Sequence, residues 1–73
     1  IPFGEIVKIN ATTIEANGLE VAVGDIVKIE SITNHQTALG MVSVLNNDRF
    51  IIIPFSFIDG FRLGDKVFLQ KDG

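Results

Sequence analysis

Apolar residues in this chain recur at every second position, in short runs cut off by turn-forming pairs. Val27 and Ile29 alternate with Lys28 and Glu30, and Val67 and Leu69 with Lys66, Phe68 and Gln70. Val42 and Val44 flank Ser43, and Ile14 and Ala16 alternate with Thr13 and Glu15. A period of two sends successive side chains to opposite faces of a strand, so each run can bury one face. No window repeats its apolar residues at helical spacing behind a capping residue. Asn17-Gly18 is a tight-turn pair, because both residues accept positive φ. Asn46-Asn47-Asp48 joins two runs as a hairpin, Gly24-Asp25 and Gly64-Asp65 each open a run, and Pro54 closes one. Six strands are predicted, over 4–9, 12–16, 25–32, 37–45, 49–53 and 66–70. Their short, regular spacing predicts an all-β fold, a small closed six-stranded barrel that is antiparallel and Greek-key-like.

The chain has 73 residues, enough for one domain spanning 1–73. Apolar residues make up 47%, mainly Ile, Val, Leu and Phe, which suits strands. Without cysteine there is neither a disulfide nor a thiolate metal site. The net charge of −3, with acids and bases interspersed, argues against a nucleic-acid surface and against a basic membrane patch. No apolar run reaches the roughly 18 residues of a spanning helix. The chain begins at Ile1 rather than Met and ends soon after a strand-like run, as expected of a domain from something longer.

An internal echo runs through the sequence. Val23-Gly24-Asp25-Ile26-Val27-Lys28-Ile29 resembles Leu63-Gly64-Asp65-Lys66-Val67-Phe68-Leu69, and Gly4-Glu5-Ile6-Val7-Lys8-Ile9 follows the same template. If Val7, Ile9, Val27, Ile29, Val67 and Leu69 point inward, then Ile6, Ile26 and Phe68 point outward, and Met41 and Leu45 join them on the outer face. The run 50–53 is apolar on both faces. A solitary barrel needs only one apolar face, so the surplus predicts a covered outer surface.

No catalytic constellation is legible. A phosphate loop needs Gly followed by Lys and Ser or Thr, and no Gly here precedes Lys. His35, the only His, lies in the polar stretch 31–37 and reads as a solvated loop residue. Asp25 and Asp65 follow Gly in both copies of the echo, a placement that turn formation explains better than acid–base chemistry. No group of His, Asp and Glu has metal-ligand spacing. Phe50, Phe55, Phe57 and Phe61 crowd one stretch with little basic interleaving, which favours packing over base stacking. Arg62 follows Phe61 and could pair with an acid on a neighbour. The expected contact residues are Ile6, Ile26, Met41, Phe55, Phe57, Arg62 and Phe68, with no catalytic, cofactor-binding or metal residue in the segment.

The order of these motifs resembles a known family. Gly4-Glu5-Ile6-Val7-Lys8-Ile9, Ile14-Glu15-Ala16-Asn17-Gly18-Leu19 and Val23-Gly24-Asp25 are similar to the start of rotary-type ATPase subunits. Ala38-Leu39-Gly40-Met41-Val42, Asn47-Asp48-Arg49, Ile53-Pro54-Phe55 and Gly60-Phe61-Arg62-Leu63-Gly64-Asp65-Lys66-Val67 follow in matching order, and Ile53-Pro54-Phe55 points to the flagellar and type III secretion export ATPases. The resemblance covers nearly the whole chain. Asn10-Ala11 departs from it, standing where the family often has Gly, and Asn tolerates the same left-handed turn.

The resemblance implies the N-terminal six-stranded barrel of a cytoplasmic, homo-hexameric protein-export ATPase, whose barrels form a crown. It places ATP, Mg and catalysis in a following domain. It implies an export-apparatus regulator or stator as a further partner and a peripheral position at the inner-membrane export gate. The runner-up is the equivalent barrel of a rotary ATP synthase subunit, and a stand-alone oligonucleotide- or ligand-binding barrel is the alternative of another class.

Overall fold

The computed structural model describes residues 1–71. Six strands are present: β1 (Gly4–Ile9), β2 (Ile14–Asn17), β3 (Ile26–Glu30), β4 (Thr37–Asn46), β5 (Arg49–Pro54) and β6 (Lys66–Leu69). They close into an antiparallel barrel in the order β1-β2-β5-β4-β3-β6. This is the predicted architecture, with strand ends moved by one or two residues. Thr12 and Thr13 belong to the first turn, where the Asn10 amide donates to the Thr13 carbonyl at 2.9 Å. Pro54 ends β5, and Asn47 turns the β4–β5 hairpin with φ 60°.

The core is a single cluster of inward side chains, with Phe50, Ile14, Ile29, Ile52, Val27, Val42 and Val67 shut off from solvent. All but Phe50 and Ile52, which come from the two-sided run 50–53, belong to alternating runs, and closure of the sheet gathers their inward faces into one interior. Phe61 closes the cluster from the long β5–β6 connection.

The barrel is two copies of one motif. Adding 36 to each residue number of the β1–β2 ladder reproduces the β4–β5 ladder: Glu5↔Asn17 becomes Met41↔Ile53, Ile6↔Ala16 becomes Val42↔Ile52, and Lys8↔Glu15 becomes Val44↔Ile51. Both hairpins carry a bulge at the matching place, at Val7 in one and Ser43 in the other. The Ser43 hydroxyl donates to the Ile51 carbonyl at 3.3 Å beside its bulge. The echoed turns match as well. Gly24 and Gly64 have φ of 95° and 90°, at the position of a tight turn that only a residue without Cβ takes freely. The Gly24 amide donates to the Val42 carbonyl at 2.8 Å and the Val42 amide to the Asp25 carbonyl at 2.9 Å. In the other half Gly64 and Asp65 make the same two bonds to Ile6, at 2.8 and 2.9 Å.

Three expectations are corrected by the two bulges and the repeat. Ile6 points inward and is 2% exposed, while Val7 is the extra residue of the bulge. An extra residue shifts the parity of everything beyond it, so Ile6 and Ile9 share the inner face although three residues apart. Leu45 likewise pairs with buried Phe50, on the side of β4 opposite to Val44, although it remains exposed near the end of the strand; Val44 takes the outward place. Finally, Gly4 is no third copy of the Gly-Asp turn. It lies within β1, where a Cβ would collide with the Asn17 carbonyl oxygen, and its counterpart is Gly40, whose Cβ would come within 2.8 Å of the Ile53 oxygen.

Candidate functional site

Two carboxylates, Asp25 and Asp65, hold loops in place. Asp25 accepts from the Ala22 amide at 2.9 Å, and Asp65 from the Arg62 amide at 2.7 Å, so each carboxylate closes its own turn. Asp65 does one thing more: at 1% exposure it also accepts from the Ile32 amide at 3.2 Å, tying the β5–β6 connection to the β3–β4 hairpin. Buried Ser31 organises that hairpin, its hydroxyl accepting from the Thr33 and Asn34 amides at 3.2 and 3.4 Å. His35 sits exposed at the tip with φ 62°, its Nδ1 3.4 Å from Glu30 Oε2. Among the described residues no group of three His, Cys, Asp or Glu could hold a metal ion.

The outer surface holds the other feature of interest. Closing a barrel leaves no sheet edge for a partner strand, so contacts must be made by outward side chains. On β4 and β5 these are apolar. Met41 lies beside Ile53, Val44 beside Ile51, and the Phe55 amide donates to the Leu39 carbonyl at 2.9 Å, which carries the row past Pro54. Half-buried Ile26 of β3 flanks Met41 on the other side. Leu39, Met41, Val44, Ile53 and Phe55 are all exposed. Together they form an apolar wall, bordered by Lys28 opposite Leu39 on one side and by Glu15 opposite Ile51 on the other.

Of the seven expected contact residues, the wall gathers Ile26, Met41 and Phe55. Phe68 lies elsewhere, half-buried on β6, its ring 6.0 Å from that of Phe3. The Lys28 ammonium stands 5.6 Å from the Phe68 ring centre, and the Lys66 ammonium 4.6 Å from that of Phe3. Phe57 is 91% exposed and sits at the loop end of the barrel, beside a groove of about 600 Å³ that Ala11, Thr12 and Phe55 also line. Arg62 is an exposed turn residue. Ile6 belongs to the core and is no surface residue. Ile53, Ile51, Leu39 and Val44 were missed as wall residues. The two-sided apolar run 50–53 was the available signal for the first two, and the Ser43 bulge concealed Val44.

No family model matches the chain. In sequence it is 41% identical, over 71 residues and 97% of its length, to the flagellum-specific ATP synthase of Helicobacter pylori strain 26695, and equally to that of strain J99. The chain spans 16% of the length of these relatives. Its fold is similar to a solved structure of the assembled ATPase EscN from the enteropathogenic E. coli type III secretion system, with a TM-score of 0.76 and 23% identity, covering 94% of this chain and 16% of that one. The expected resemblance is borne out: over nearly its whole length the chain is similar in sequence to flagellum-specific ATP synthases, and its barrel has the fold of part of the EscN ATPase.

Proposed function

We propose that this domain is a non-catalytic assembly module, whose apolar wall is covered by neighbouring copies in a homo-hexameric ring of a flagellar or type III protein-export ATPase. One observation supports this above the others. The two hairpins share one backbone, yet Glu5, Lys8, Glu15 and Asn17 on the outside of the first are matched by Met41, Val44, Ile51 and Ile53 on the second. The fold therefore needs nothing apolar at those places, and the second hairpin carries them for another purpose. In this reading ATP and Mg are handled by the rest of the parent, the parent works in the cytoplasm at the inner-membrane export gate, and a regulator or stator protein joins the assembly through other surfaces.

The test is to place Met41→Asp with Ile53→Asp in a full-length export ATPase carrying this barrel. The ring should dissociate while the barrel stays folded by circular dichroism. Normal hexamers with unchanged ATP hydrolysis would refute the assignment. The non-catalytic half of the reading is checked by calorimetry, where the 73-residue chain should take up no ATP.

A further inference from the structure

We propose that Met41 is an oxidation site, and that its conversion to methionine sulfoxide weakens the contact made by the wall while leaving the barrel folded. This rests on the reading of the wall as a contact between copies, and it adds a reversible chemical control to that contact.

Met41 holds the only sulfur atom in a chain that has no cysteine and no other methionine. At 36% exposure its thioether is open to a peroxide in a free copy. Its place is the middle of the wall. Ile26 of β3 and Ile53 of β5 stand opposite it on either side, and Leu39 and Val44 precede and follow it among the exposed residues of β4. These four neighbours offer no side-chain hydrogen-bond donor to a new oxygen. Lys28, on the border, stands opposite Leu39 with its ammonium 5.6 Å from the Phe68 ring centre. Covering the wall therefore strips a sulfoxide of water without a replacement partner from these neighbours, and burial of an unpaired polar group is unfavourable.

The repeat separates this effect from any effect on the fold. The residue matching Met41 in the first hairpin is Glu5, exposed opposite Asn17 as Met41 is opposite Ile53. One copy of the motif already carries a full charge at that register position, so a dipolar oxygen at Met41 asks nothing new of the barrel. In the reaction the sulfur lone pair attacks one oxygen of hydrogen peroxide. The S–O bond forms as the O–O bond breaks, sulfur loses two electrons, and the other oxygen leaves as water with both protons. A methionine sulfoxide reductase reverses the step, releasing the oxygen as water while two thiols join as a disulfide.

The test treats unassembled subunits of a full-length export ATPase carrying this barrel with hydrogen peroxide. Peptide mass spectrometry follows the gain of one oxygen at Met41, circular dichroism follows folding, and sedimentation velocity follows the ring. Met41 should be oxidised with the barrel intact, and ring association should weaken at least about tenfold. Sulfoxide reductases with a thiol should restore it. Met41→Leu removes the sulfur, so peroxide should leave that variant at its own untreated level of association. A Met41 that stays reduced where a free methionine peptide is oxidised overturns the proposal. So does unfolding on oxidation, or an equal loss of association in Met41→Leu. If oxidised subunits assemble normally while Met41→Asp with Ile53→Asp abolishes the ring, the oxidation site is overturned and the assembly reading stands. In assembled rings Met41 should gain oxygen at least about tenfold more slowly than in free subunits, because susceptibility follows exposure. Equal rates would leave the wall uncovered in the ring and overturn both readings.

Discussion

The β1–β2 and β4–β5 hairpins differ only where the fold is indifferent. Inside, Ile6, Ile14 and Ala16 of the first are matched by Val42, Phe50 and Ile52 of the second, all buried. Outside, one hairpin shows water charged and polar groups, and Arg49 reaches across to Glu15 at 3.1 Å. The other shows a continuous apolar row. Core positions answer to packing, which is the same in both halves. Outer positions answer to whatever lies beyond the barrel. Because each hairpin serves as the other's control, the apolar wall can be separated from anything the barrel needs to stand.

The largest effect should come from breaking the shared interior. Phe50→Ala is expected to cost about 3–5 kcal/mol and Ile14→Ala about 2–5 kcal/mol, enough to unfold much of so small a domain, as urea titration would measure. If one hairpin tolerated truncation and the other did not, their equivalence would fail. The matched turns should come next. Asp65→Asn is expected to destabilise more than Asp25→Asn, by about 1–3 kcal/mol against about 0.5–1.5 kcal/mol, since only Asp65 is buried and also holds the Ile32 amide. Gly24→Ala and Gly64→Ala should each cost on the order of 1–2 kcal/mol, by forcing a Cβ into left-handed backbone. Equal melting shifts for that pair would sharpen the repeat. Smallest of all should be the outer positions. Met41→Glu is expected to change stability by no more than about 0.5 kcal/mol, and Arg49→Ala by about 0–1 kcal/mol, because both lie on the surface. A large loss of stability on Met41→Glu in the monomer would make the wall part of the fold after all.

Much of this was legible in the chain. The alternation at 26–30 and 66–69 gave both strands and their inward faces, because an uninterrupted period of two has only two phases and burial selects one. The Gly-Asp turns were legible because left-handed backbone restricts the residue that can occupy it. The first hairpin was harder. Gly4-Glu5-Ile6-Val7 reads as simple alternation, and nothing local marks Val7 as the extra residue. Its bulge arises only when β1 must pair with β2 on one side and continue into the Asp65 turn on the other. Ile6 therefore moved from the expected surface to the core. The candidate wall was legible as a surplus of apolar residues in 50–53 and at Met41, but the members supplied by Leu39 and Val44 depend on which strands became neighbours.

By itself, the sequence determined that the chain is all-β, where it turns, and that it holds more apolar surface than one small interior can take up. These follow from local geometry: side-chain alternation, positive φ and residue counts act within a few positions of one another. Tertiary structure alone decided which side of each bulge faces the core, that the halves repeat in space, and that Leu39, Met41, Val44, Ile53 and Phe55 gather into one wall. Those outcomes depend on pairings between distant strands, where inserting a single residue reverses the facing of everything after it.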